Sequence, residues 1–281
     1  MSPIHDQSYR RYEGKREPLG RAWSVITRAG IRSTLSRKAL IALLIVAWIP
    51  FVVRTVQIYV VSAYAQASQV VPVDAKMFRD FIEYQGIFVF FVTVFVGAGL
   101  IASDRRANAL QIYLSKPLLR MEYIGGKLAI LVTFLLFVTL LPGLLLIVLQ
   151  VLFAGNLDFL RANLYVIPAV VLSSLVRVLV AAFTMLALSA LSKSTRYVAI
   201  LYTGAIFFTN SMFVVLRIIT NSTRAAWVSI TANVDVVSDV MFRQAARYDT
   251  PVIVSVLVLA GLVAISLSVL ERRVKGVEVV K

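Results

Sequence analysis

Leu128–Phe153 reads LAILVTFLLFVTLLPGLLLIVLQVLF, 26 residues without a charge. A helix rises 1.5 Å per residue, so this run extends about 39 Å, more than the ~30 Å of a bilayer's hydrocarbon core. In lipid its apolar side chains need no covering, and a helix satisfies its own backbone hydrogen bonds. Working outward, similar stretches cover about Gly86–Ser103 and Ala39–Tyr64 on one side, and about Leu164–Leu191, Val198–Thr220 and Val252–Leu270 on the other. None of the six holds a carboxylate. With 59% apolar residues in a chain of 281, the expectation is an all-α polytopic membrane protein with six transmembrane helices.

The six stretches leave little chain for a soluble domain. The longest connection, about Asn221–Pro251, is below the usual size of an independent core. The first apolar run starts too late and lasts too long for a cleaved signal, so the N-terminus is expected to stay attached. Formal net charge is +15, and its placement gives an orientation. Met1–Lys38, Asp104–Lys127, the connection between spans four and five, and the C-terminal tail hold 9, 5, 2 and 4 Lys/Arg, whereas the three opposite loops hold 2, 1 and 3. The positive-inside rule then puts both termini in the cytoplasm. Topology and anionic headgroups account for the basic face, so membrane lipids are expected partners and nucleic acid is not.

Three parts are read along the chain. Residues 1–18 form a polar cytoplasmic tail, 19–36 an amphipathic helix, and 37–281 the six-helix domain. At 100° per residue, Leu19, Ala22, Trp23, Ile26, Ala29 and Gly30 share one face, and Arg21, Arg28 and Arg32 the opposite one. A helix with that distribution lies in the inner interface; the alternative is an extension of the first span. Pro142-Gly143 predicts a kink in the third span. Between spans five and six, residues 222–248 place Trp227, Ile230, Val234, Val237 and Met241 at helical spacing among Asn233, Asp235 and Asp239. That pattern predicts short interfacial or re-entrant helices on the outer side.

Absent chemistry narrows the function. There are no cysteines, and the single histidine, His5, lies in the polar tail. Metal-dependent and Ser–His proteolysis therefore have no residues to be built from, and no metal ligands or catalytic residues are predicted. Proton-coupled carriers use an intramembrane Asp, Glu or His, and the apolar stretches contain none. No G-x-x-x-x-G-K-[ST] loop occurs, since Gly126-Lys127 lacks the first glycine and is followed by Leu128. The chain is not expected to be an enzyme or to bind a cofactor itself.

Arg177 lies about 20 Å along the helix from either end of the fourth stretch. With no acid within the stretches to pair with, it is expected to meet backbone carbonyls, water or an anionic ligand group. Two readings stay open: a polar point on a substrate path, with Asn210 as a second candidate, or a structural arginine within the bundle.

The connection after the second span reads Ser103-Asp104-Arg105-Arg106-Ala107-Asn108-Ala109-Leu110-Gln111-Ile112-Tyr113-Leu114-Ser115-Lys116-Pro117. Ala109, Leu110, Tyr113 and Leu114 give one apolar face on a short helix that Pro117 ends. From these residues alone it is either a helix on the inner leaflet or a docking helix. The segment resembles the signature of ABC-2-type permeases, the membrane subunits of ATP-binding-cassette exporters. That pattern runs acid-x-Arg-x-Gly-Thr-Leu-Glu-x-x-Leu-Ser-basic-Pro, then Gly-Lys opening the next span. Asp104, Arg106, Leu110, Leu114-Ser115-Lys116-Pro117 and Gly126-Lys127 match it. Asn108, Ala109 and Gln111 depart from it and look like an Asn-Ala-Leu variant from a bacterial branch, which the tail Leu270–Val280 also resembles.

The resemblance implies a coupling helix at Asp104–Pro117 that docks into an ABC ATPase subunit, with Arg105 and Arg106 meeting acidic residues there. It implies a second permease copy, identical or similar, ATP and Mg on the partner ATPase, and a bacterial inner membrane location. The first, second and fifth spans would then border the dimer interface and conduit with Tyr59, Phe88, Phe95, Gly204, Phe207, Phe208 and Asn210. The rival readings are a structural or assembly subunit and an energy-independent channel or lipid scramblase.

Overall fold

The computed structural model describes residues 22–64, 72–109 and 119–274. Among them every regular element is helical, and six helical units are long and apolar enough to cross a bilayer. The first is built from α2 (Lys38–Ala47) and α3 (Ile49–Ala63), and α1 (Ala22–Leu35) precedes it. The second joins α4 (Ala75–Val92), a π-helical turn at Thr93–Gly97 and α5 (Ala102–Arg106). The third joins α6 (Arg120–Val138) to α7 (Leu140–Ala154), and α8 (Asp158–Ala162) follows it. The last three are α9 (Val166–Leu191), α10 (Thr195–Thr220) and α12 (Val252–Arg273). A 3₁₀ turn (Arg224–Val228) and α11 (Ile230–Met241) lie between α10 and α12.

Prolines set two of the breaks. A helical proline removes a donor and collides with the carbonyl four residues earlier. For Pro142 that residue is Val138, the last of α6, so the third span breaks at Thr139 and not at the proline itself. Pro50 likewise sits just past the α2–α3 break at Trp48. There the Ala47 carbonyl is recovered by Gln85 Nε2, which donates to it at 3.1 Å from within the core.

The second span begins earlier than hydropathy predicts. Asp74 accepts from Met77 N at 2.9 Å and starts α4 at Ala75, eleven residues before Gly86. Lys76, Arg79, Asp80 and Glu83 are therefore helical, and this extension adds two carboxylates, Asp80 and Glu83, to a stretch predicted to hold none.

Spans two, three and four form the inner layer, with 50%, 56% and 56% of their apolar windows buried, against 17% for one, five and six. α9 is central and packs against α4, α6, α7, α10, α11 and α12. The three outer spans keep apolar surface free for lipid or another chain.

α1 lies against the first turns of α6. Thr27 Oγ1 donates to Gly126 O at 3.2 Å, and Ile26 and Gly30 face α6. A methyl group on Gly126 would stand 2.9 Å from Ile26 Cβ and 3.0 Å from Trp23 O, whereas Gly125 faces open space. Gly126→Leu is expected to cost about 1–3 kcal/mol by overpacking and to loosen α1. Tryptic cleavage at Arg37 and Lys38 should then accelerate several-fold in Gly126→Leu and stay at the wild-type rate in Gly125→Leu; equal rates would mean that α1 is not held here.

Candidate functional site

The residues with chemistry gather at the two ends of the bundle. At the first end, α5 carries Asp104, Arg105 and Arg106 against the start of α6 and the α9–α10 connection. Asp104 pairs with Lys127 Nζ at 2.7 Å and accepts from Tyr123 OH at 2.7 Å. The acid that opens the motif and the lysine that closes it thus meet. Arg105 Nη1 donates to Ala190 O. Arg106 Nε donates to Lys193 O at 3.1 Å and Nη2 to Thr195 Oγ1 at 3.2 Å. Both arginines hold carbonyls at the end of α9 and just beyond it, where unpaired C=O groups and the negative dipole end favour cations. Ala109 is half-buried. Leu110, Tyr113, Leu114, Ser115, Lys116 and Pro117 lie outside the described residues, as does Arg21.

Ser189 lies beneath α5 with no solvent exposure. Its Oγ accepts from Ile101 N at 3.1 Å and Ala102 N at 3.0 Å and donates to Ala98 O at 3.0 Å. These are groups that the irregular stretch after the π-turn leaves without helical partners. π-turns of this kind recur at functional sites. On α1, Trp23, Arg28 and Arg32 are exposed beside the same end, while Ile26 and Ile31 pack inward.

Toward the opposite end, and reaching inward to Arg177 near the middle of α9, Arg79, Asp80, Glu83, Arg177, Asp235, Asp239 and Arg247 form one ion network. Arg247 donates to both Glu83 oxygens at 2.8 and 2.7 Å and to both Asp239 oxygens at 3.0 Å. Arg79 lies 2.8 Å from Asp239 and 2.6 Å from Asp80. Arg177 Nη2 donates to Asp235 Oδ1 at 3.0 Å. The hydrogen bond to Glu83 is the main reason the Arg247 guanidinium is held protonated well beyond its ordinary range. Burial pushes the Asp235 carboxyl above the ordinary carboxylate range, opposed by the Arg177 charge.

Arg177 therefore has an acid partner, contrary to the expectation that it would meet only carbonyls, water or a ligand. The acid comes from α11, which packs on α9, so a scan of the apolar stretches could not find it. Asn210, exposed on α10, accepts from Ser229 Oγ at 3.2 Å and Thr231 Oγ1 at 3.4 Å and ties α10 to the start of α11. Arg177 and Thr231 line one cavity of about 60 Å³. Asn210 bonds to that wall and does not line it. Among the described residues, no group of three or more His, Asp or Glu is placed to hold a metal ion.

Sequence reasoning missed Arg79, Glu83, Asp239 and Arg247 as site residues, and Ser189 altogether. A usable signal existed for two pairs: Arg79/Glu83 and Asp235/Asp239 are each four apart and so share a helix face. Ser189 had none, because a serine within an apolar helix ordinarily bonds its own backbone.

No protein-family model matches the chain, and no curated protein is significantly similar to it.

Proposed function

We propose that this chain is the membrane subunit of an ABC-2-type exporter, coupling the ATPase cycle of a separate subunit to movement of its spans. The observation that carries the reading is the closure of the 104–127 segment at its base. Asp104, Lys127 and Tyr123 join the ends of spans two and three, while Arg105 and Arg106 join the same point to α9 and α10. A force on residues 105–119 would reach four spans through these contacts, which is what a coupling segment requires. α1 stands beside it with Trp23, Arg28 and Arg32 outward, suited to headgroups or to an ATPase flank. In this reading Leu110, Tyr113 and Leu114 supply the apolar docking face. The arginines, engaged with carbonyls of the chain itself, position that face and need not bind the ATPase directly.

The free apolar surfaces of α3 and α10 suit a second permease copy, with both termini cytoplasmic and the ion network on the outer side of a bacterial inner membrane. ATP and Mg belong to the ATPase.

The test is co-purification with a co-expressed candidate ABC ATPase, using wild type and Leu110→Asp/Tyr113→Asp. Burying two carboxylates in an apolar contact costs more than about 1.4 kcal/mol, so recovery is expected to fall at least about tenfold in the double variant. Equal recovery would move the docking surface elsewhere. Recovery with neither protein would favour an energy-independent channel or scramblase, and stable binding without substrate-dependent turnover a structural subunit.

A further inference from the structure

A guanidinium has five N–H donors, and buried donors normally find acceptors. Arg177 is 9% exposed, and its one hydrogen bond to the described residues is that from Nη2 to Asp235. Its Nε is sealed from solvent and has no acceptor among the described residues. Nη1 reaches no protein acceptor among the described residues and lies over Gly86, where a methyl group would stand 2.6 Å from it. Beside the guanidinium is the cavity of about 60 Å³. A water needs only ~10–15 Å³ of such space, so there is room for a group of several atoms. Tyr202 and Thr231 add hydroxyls to its lining, and Val89, Val180 and Ile206 make much of the rest apolar.

We propose that Arg177 and this cavity form a binding site for an oxyanion, a phosphate or carboxylate group, and that Asp235 holds the guanidinium when the site is empty. The fork of a guanidinium matches the paired oxygens of such groups, and apolar walls strengthen the interaction by excluding water. A cation is disfavoured by Arg177 itself. The exchange is feasible because Asp235 has a second arginine: Arg247 Nη1 stands 3.9 Å from its other oxygen. When Arg177 turns toward a ligand, Asp235 is not left alone.

The network holds four carboxylates and three guanidiniums, so a bound oxyanion must compete with Asp235 for Arg177. Removing that carboxylate without changing its shape should therefore tighten binding. The site is large enough for a phosphate or carboxylate group but not for an acyl chain, which would have to remain outside the cavity. It stands whether or not an ATPase docks at the other end.

The experiment uses the full chain in neutral detergent. Inorganic phosphate is titrated in one arm and followed by thermal unfolding. Phosphatidylglycerol is titrated against phosphatidylcholine in the other and followed by native mass spectrometry. Asp235→Asn is expected to bind several-fold tighter than wild type, and Arg177→Gln about tenfold weaker or more, in whichever arm binding occurs. Binding in the phosphate arm identifies a free anion as sufficient; binding in the phosphatidylglycerol arm alone identifies a lipid headgroup. Should Arg177→Gln fail to fold, Asp235→Asn decides by itself. Unchanged or weaker binding in Asp235→Asn, or no binding of either probe by any variant, overturns the proposal.

Discussion

Asp239→Ala is expected to lower the free energy of unfolding by about 3–5 kcal/mol, the range seen when one partner of a buried charge network is removed. Its side chain is 1% exposed and joins Arg79 at 2.8 Å and Arg247 at 3.0 Å. Arg79 is on α4 and Arg247 follows α11, so the carboxylate joins the second span to the segment that closes this end of the bundle. Alanine leaves two guanidiniums, 13% and 21% exposed, facing each other without the charge between them. Glu83→Gln should cost much less, because Glu83 is 37% exposed and solvent shares the work of its bonds to Arg247. Chemical unfolding in micelles measures both. A loss below about 1 kcal/mol for Asp239→Ala would mean that water reaches the network freely and that it does not hold α11.

The same network marks where the sequence stopped being readable. The six spans were legible because each is a local run of apolar side chains, and hydropathy is a local property. The start of α4 was not. Arg79, Asp80 and Glu83 lower the hydropathy of its first turns, and what makes them tolerable is Arg247 and Asp239, more than 150 residues away. Arg177 was legible as an anomaly, a charge about 17 Å from the start of α9 and 21 Å from its end. Its partner, Asp235, was legible only as one of the polar residues that marked 222–248 as short interfacial or re-entrant helices. Each half of the pair was visible, and the pairing was not, because it depends on how α11 folds back onto α9.

The break in the third span shows a smaller gap of the same kind. Pro142 predicts a kink, but the steric consequence of a proline falls one turn earlier, and the helix parts at Thr139. The π-turn at Thr93–Gly97 has no such local cause. It precedes a stretch, Ala98–Ala102, three of whose backbone groups are satisfied by one hydroxyl of α9, and a single hydroxyl there has no signature in the chain.

That hydroxyl carries the second large effect. Ser189→Ala is expected to cost about 3 kcal/mol or more, because it orphans two backbone N–H groups and a carbonyl beside a fully buried side chain, each worth about 1–3 kcal/mol when buried unpaired. Thr184→Ala is the matched control. Its hydroxyl, on the same helix, bonds only the Val180 carbonyl at 2.7 Å, a group that keeps its helical partner, so a change of a few tenths of a kcal/mol is expected. The two variants also differ in where they act. Ser189 is adjacent to Ala190, whose carbonyl receives Arg105, so one turn of α9 holds both the break in the second span and the start of the 104–127 segment. Losing the hydroxyl should therefore raise amide exchange at Ile101 and Ala102 by orders of magnitude while leaving Ala75–Val92 protected. Uniform acceleration along the whole span would reduce Ser189 to a general packing residue. Acceleration confined to 98–106 would identify it as the point through which a pull on the connecting segment reaches the central helix.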